Sequence, residues 1–196
     1  MKVLQINSVC GVGSTGRIVV GIHDSLVSRG HDIYIAFGRL SPRNYNNVIR
    51  IESQIGIYSH VVLTRLFDNH GFGSKRATQL FVERIKSLDL DIVHIHNIHG
   101  YYINVEVLFK YLKRQQKPVV WTLHDCWAFT GHCAHFDYIK CDKWKTECFN
   151  CIQKKSYPKS LVFDFSKRNY RYKKNIFTSL EKMVIVTPSD WLKKIT

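Results

Sequence analysis

Three groups of residues in this chain of 196 have types and spacings suited to chemistry. The first is Gly11, Gly13 and Gly16, with Ser14, Thr15 and Arg17 among and after them, directly behind the apolar run Val3, Leu4 and Ile6. A turn without side-chain bulk lets the amides at a helix start approach an anion, and the helix dipole favours negative charge there. Phosphate is the natural guest, although the same G-x-G-x-x-G spacing also fits a βα turn that holds nothing. The second group follows two later apolar runs: His96, Asn97, His99 and Tyr101 after the run ending at Ile95, and His124, Asp125 and Trp127 after the run ending at Leu123. A histidine behind a strand orients or polarises a substrate, or makes a structural hydrogen bond. His94 and His96 alternate along one strand, and His94 reads as structural.

The third group is Cys133, Cys141, Cys148 and Cys151, spaced C-x7-C-x6-C-x2-C with His132 and His135 alongside. Four thiolates on a loop with few apolar residues suit a structural zinc, which contributes folding energy directly. Reduced buried cysteines, an iron–sulfur cluster and disulfides formed after purification remain alternatives. Cys10 and Cys126 read as small apolar residues in packing positions.

Charge narrows the partners. Lys and Arg number 29 against 15 Asp and Glu, a formal +14. Between Lys140 and Lys182 there are 12 basic residues and four acidic ones. Such a stretch is a solvated face or a surface for anionic membrane headgroups. No apolar run approaches the roughly 18 to 20 residues needed to cross a bilayer. The first strand, broken by Gln5 and Asn7, does not resemble a signal peptide, so the expected compartment is the cytoplasm, where the cysteines stay reduced.

These groups need elements to position them. Ile18, Val19, Ile22, Leu26 and Val27 form one face of a helix ending near Gly30, followed by a strand over Asp32–Phe37, which makes a βαβ unit. That strand runs into Arg39, whereas an NAD site would place an acid there. Residues 40 to 50 read as a loop with a short strand from Val48 to Ile51. Helices follow over Ile55–Phe67 and Thr78–Leu88, then a strand Asp91–Ile95, a helix Val105–Tyr111 and a strand Pro118–Leu123. A helix Asp164–Leu180, a strand Met183–Thr187 and the start of a helix after Pro188 complete the pattern. In an open parallel sheet, ligands gather at the carboxyl ends of strands. Residues 11–17, 97–101 and 124–127 should therefore line one crevice.

The segments KVLQIN with its glycine turn, RGHDIYIAFGR, LDLDIVHIHNIHG, PVVWTLHDCWAFTGHC and VIVTPSDWLKK together resemble the N-terminal domain of a GT-B glycosyltransferase of the family 4 type, close to bacterial capsular and exopolysaccharide enzymes. The resemblance implies an α/β fold: a Rossmann-like parallel sheet flanked by helices, spanning residues 1–196, with a Cys-rich lobe over 126–158. A C-terminal domain that holds the nucleotide-sugar donor is expected to be absent from this stretch. It further implies a retaining transfer to a saccharide or polyprenyl-linked acceptor, without catalytic metal. Position by position, it puts Gly11, Gly13, Ser14 and Arg17 at the donor phosphates and His124 at the reacting centre. His96, Asn97, His99, Tyr101, Asp125 and Trp127 then face the acceptor. The family's first turn typically carries two adjacent glycines, whereas here Val12 separates Gly11 from Gly13. Two other readings compete: an NADP-linked oxidoreductase using the glycine turn, and a nucleic-acid-binding module, for which the cysteine spacing is wrong for short zinc fingers. No nucleic-acid partner is expected.

Overall fold

A computed structural model describes residues 1–40 and 45–196; residues 41–44, part of the loop expected over 40 to 50, lie outside them. Six strands, β1 (Lys2–Val9), β2 (Asp32–Arg39), β3 (Val48–Arg50), β4 (Ile92–Ile95), β5 (Val119–Thr122) and β6 (Met183–Val186), form one sheet in the order β3-β2-β1-β4-β5-β6. Every pairing is parallel, with Ile6 opposite Ala36 on one side and Ile95 on the other. The helices are α1 (Gly13–Val27), α2 (Gln54–Phe67), α3 (Lys75–Lys86), α4 (Val105–Gln115), α5 (Ser166–Phe177) and α6 (Asp190–Ile195).

β1 is buried on both faces because helices cover both, which is why its apolar residues do not simply alternate with polar ones. On one face Cys10, Val19, Ile35 and Phe37 form a small cluster under α1. The other face carries the main core, from Leu4 and Ile6 through Ile95, Tyr102 and Phe109 to Trp121, Trp127 and Phe177. Helix starts are set by capping: the Ser53 hydroxyl accepts from the Gly56 amide at α2, and the Asn104 side chain from the Val107 amide at α4. α3 begins three residues earlier than its apolar pattern suggests, because Ser74, at φ 52°, turns the chain into it. Among the described residues no helix is long and apolar enough to cross a membrane.

The strand order reverses between β1 and β4, which leaves a crevice at their carboxyl ends where neighbouring connections depart to opposite faces. The expected Cys-rich lobe has only three one-turn helices, at Trp127–Phe129, Asp137–Ile139 and Lys143–Lys145. It is less starved of apolar residues than its sequence suggests. Phe136 and Trp144 pack at a ring distance of 4.7 Å, with Phe129 against both, and the group extends the main core.

Candidate active site at the carboxyl edge of the sheet

β1 delivers the glycine turn. Gly11 and Gly13 have φ of 71° and 65°, backbone that a residue with a side chain adopts only with strain. Gly16 serves packing: a Cβ there would lie 3.1 Å from the Gly11 nitrogen and 3.2 Å from Val9 Cγ2, so its absence seats α1 on β1. The first turn of α1 has no side-chain cap and no acidic residue, and Gly11, Gly13, Ser14 and Arg17 are all exposed. The Gly11 amide is already spent on the Gly16 carbonyl at 3.2 Å, so it is the uncapped amides of α1 from Gly13 onward, with the Arg17 cation, that face solvent in an arrangement that accepts an anion.

Two strands away, His124 follows β5 and is held by a relay that starts inside β1. Gln5 is fully buried and donates from Nε2 to the Val19 carbonyl at 3.1 Å, which turns its Oε1 towards His96 Nε2 at 3.3 Å. With Nε2–H of His96 donating to Gln5, His96 Nδ1 is left as an acceptor, 3.1 Å from His124 Nε2. His124 therefore carries its proton on Nε2 and presents a bare Nδ1. Burial, then the neighbours His94 and His124, pushes His96 down to about 2, so it stays neutral and the relay keeps its sense. His124 is also lowered, by burial first, with His99 adding to the effect and Asp125 opposing it. His94, lowered to about 4 by burial and by His124, bonds Thr122 Oγ1 across to β5 at 2.9 Å, a structural contact.

Asn7 joins the two ends of the edge. Its side chain donates to the Val9 carbonyl and to Thr15 Oγ1 at 2.8 and 3.3 Å, and its Oδ1 accepts from the Asn97 amide at 3.2 Å. Gly11–Arg17 and Asn97 are thereby tied to one buried side chain. Neither Gln5 nor Asn7 was singled out from the sequence, where they registered only as breaks in an apolar run. A polar residue inside a central, doubly covered strand was the available signal.

His99 donates from Nε2 to Asp125 Oδ2 at 2.7 Å, its Nδ1 meets the Tyr157 hydroxyl at 3.0 Å, and Asp125 Oδ1 accepts from the Trp127 amide at 2.9 Å. Burial pushes the Asp125 carboxyl up, but the His99 charge, the His99 hydrogen bond and the Trp127 amide bring it below the usual carboxylate value. His96, Asn97, His99, His124, Asp125 and Trp127 line one narrow cleft of about 10 Å³, room for about one water. Tyr101 is not among them and stands against His60, His70 and Tyr157. His70, at the centre of that aromatic group, accepts from the Gly100 amide at 3.1 Å and leaves its Nδ1 buried and unpaired. The larger hollows, about 810 Å³ beside β5, β6 and α5 and about 610 Å³ between β3, α2 and α3, contain none of the sequence-derived site residues.

A family model described as Glycosyltransferase Family 4 matches residues 15–194 of this chain. The chain belongs to glycosyltransferase family 4. It is also 28% identical over 170 residues to an Escherichia coli (strain K12) protein named "Putative colanic acid biosynthesis glycosyl transferase WcaC". The match covers 81% of this chain and 41% of that protein, so the chain spans less than half the length of this relative.

The glycine turn, the 97–101 loop and His124 all follow carboxyl ends of strands, but the narrow cleft is lined by residues within 96–99 and 121–128 and by neither residues 11–17 nor Tyr101, which were expected on the same crevice. Arg39, the residue at the end of β2, is turned towards Gly100. The basic stretch needs one correction. Lys173, counted there as a surface charge, is buried, donates to the Trp127 carbonyl at 2.5 Å and lies 4.0 Å from that indole ring. Burial lowers its ammonium to about 7.

All four lobe cysteines are free thiols, and with His132 they line one cavity of about 20 Å³. His132 Nδ1 is 2.5 Å from Asp68 Oδ1, while its Nε2 is buried without a partner. Among the described residues no three His, Cys, Asp or Glu side chains already stand as ligands to a metal ion would.

Proposed function

We propose that this chain is the acceptor-side domain of a retaining glycosyltransferase that moves a sugar from a nucleotide-sugar donor to a saccharide or polyprenyl-linked acceptor in bacterial surface polysaccharide synthesis. The observation that carries the reading is the shared edge: uncapped amides of α1 and the bare Nδ1 of His124, connected through Asn7, Asn97, His96 and Gln5. The amides and Arg17 would stabilise the leaving diphosphate, the largest part of such catalysis, and His124 would accept or orient a hydroxyl beside the transferred sugar. A second domain would hold most of the nucleotide, so the chain alone would bind substrate without turning it over. In the full-length enzyme His124→Ala is expected to lower kcat about a hundredfold or more with the fold retained. Unchanged turnover would remove His124 from the site.

The outward-facing lysines and arginines between Lys140 and Lys182 support peripheral attachment to an anionic membrane face. Co-sedimentation with anionic but not neutral vesicles at low salt is the expected result, and equal partitioning would end that role. A structural zinc in the lobe is supported by four thiols and the orphaned His132 Nε2 on one cavity, with Asp68 placed to fix the His132 ring as outer-sphere carboxylates do for ligating histidines. It requires the thiols to turn inward. Chelator-free protein should carry about one zinc per chain, and protein without metal that is equally folded would refute it.

A further inference from the structure

One cation at the carboxyl edge has no partner among the described residues. Arg39 ends β2, opposite Val9 at the end of β1, and its guanidinium lies against the loop after β4. A Cβ on Gly100 would stand 3.3 Å from Nη2 and 3.6 Å from Cζ of Arg39, and 3.3 Å from Ser8 Cβ, so the absence of a side chain at Gly100 makes the space the guanidinium enters. Gly100 has φ 114°, which excludes a side chain on conformational grounds as well. Arg39 Nε is buried and makes no hydrogen bond, and among the described residues no carboxylate reaches ion-pair distance of Arg39. Asp125, the acid of this edge, is already engaged by His99 and the Trp127 amide.

An arginine with a desolvated, unsatisfied N–H is costly, and the planar fork matches two oxygens of a carboxylate or phosphate better than any other group. Tyr101 and Tyr157 stand close enough that the Arg39 charge opposes the rise that burial imposes on both hydroxyls; the Tyr157 hydroxyl is already bonded to His99 Nδ1 at 3.0 Å, which leaves Tyr101 as the neighbouring donor. Arg39 pairs with Val9, before the glycine turn, and its guanidinium lies against Gly100, in the loop that carries His99 and Tyr101, the residues assigned to the acceptor.

We propose that Arg39, in the space left by Gly100, binds an oxyanion carried by the acceptor, either the carboxylate of an acidic sugar or a phosphoryl group of a lipid diphosphate. The assignment to the acceptor rests on the transferase reading; the oxyanion site itself does not. The test is an NMR titration of the chain with sodium glucuronate and, separately, inorganic pyrophosphate, following the Arg39 Nε–Hε and Gly100 amide resonances, with sodium chloride as the ionic-strength control. Saturable shifts at both resonances with glucuronate point to an acidic sugar, and with pyrophosphate to a lipid diphosphate. Arg39→Lys should weaken the effect about tenfold, because it keeps the charge and loses the fork. Arg39→Gln should abolish it at the Gly100 amide, the reporter that survives the substitution, and where that variant loses its dispersed spectrum the weakening of about tenfold in Arg39→Lys, read at the same amide, decides. Shifts confined to Gly11, Gly13 and Arg17, or no saturation with either anion, would overturn the proposal. Because the readout needs no donor and no turnover, an inactive full-length enzyme with an intact titration would count against the transferase reading alone.

Discussion

The carboxyl edge and the Cys-rich lobe position polar side chains in opposite ways. At the edge, Gln5 and Asn7 stand on β1, His94 on β4 and His96 one residue past it, where its amide still donates to the Ile6 carbonyl at 2.9 Å, and their side chains bond groups on α1, along β1 and on or just beyond the adjacent strands. In the lobe the chain between Thr130 and Phe165 has almost no regular structure, and its place depends on a few long-range anchors. Asp68 is the principal one: its carboxylate accepts from His132 and from the Phe165 amide, and its carbonyl from Asn169. Unsatisfied buried atoms occur in both regions, His132 Nε2 and Trp144 Nε1 in the lobe and Arg39 Nε and His70 Nδ1 at and beside the edge, so the contrast lies in how the polar groups are positioned and not in how many are left over. Strand-borne geometry is inherited from the backbone, whereas loop-borne geometry has to be supplied by side chains or by a ligand.

That contrast is broken most sharply at Asp68. Replacing it by Ala leaves a buried histidine and a buried amide unpaired at a residue with φ 48°, and the expected loss is about 3–5 kcal/mol. Hydrogen exchange should show protection lost over the lobe and α5 while β1 and β4 keep theirs. Equal loss in the sheet would mean that the two regions are one cooperative unit. Asp68→Asn, which tolerates the left-handed backbone and can still accept a hydrogen bond, should cost clearly less.

Gly38 gives the corresponding test on the edge. A Cβ there would fall 2.1 Å from Tyr102 Cγ, against a fully buried ring whose hydroxyl holds the Asn97 carbonyl at 2.7 Å. Gly38→Ala is therefore expected to cost roughly 2–3 kcal/mol and to shift the 97–101 loop. Crystal structures or amide shifts of that loop would check it; a variant of native stability would show that the ring can move aside.

What could be read from sequence followed the same division. The six strands and the six α-helices were visible, but the three one-turn helices of the lobe were not, because apolar runs and longer helical repeats are local signals and single turns carry none. Ends were off by a few residues where caps such as Ser74 decide them. His124 and the 96–99 group were legible because strand ends in a parallel sheet converge by topology. Asp68, His70 and His132 were not, since each acquires its meaning from a partner far along the chain: 64 residues for Asp68 and His132, 30 for His70 and Gly100. Lys173 was misread as surface charge for the same reason: only the folded chain brings Trp127 over it.

Gln5 sharpens the relay at smaller amplitude. Gln5→Leu keeps the volume but strands His96 Nε2, while the Val19 carbonyl retains its place in α1, at a cost of about 1–2 kcal/mol. Its more telling effect is on protonation: His96 loses the acceptor that fixes its tautomer, so the proton on His124 is no longer confined to Nε2. The ¹⁵N shifts of the two rings report this directly, and an unchanged His124 tautomer in the variant would show that β1 does not set it.

The smallest expected effect is at Asp125, and it carries a pH signature. Burial alone would raise this carboxyl, yet the His99 charge and hydrogen bond together with the Trp127 amide hold it below its ordinary value. A depressed carboxylate contributes stability that is complete above its unfolded-state pKa and disappears as pH falls through the folded-state value. Asp125→Asn should thus cost roughly 1 kcal/mol near pH 6, with the gap from wild type narrowing as pH drops below about 4. Urea unfolding at pH 6 and pH 3 measures both. A gap of equal size at the two values would mean that His99 is held by geometry alone, and the edge would then owe its order entirely to the strands.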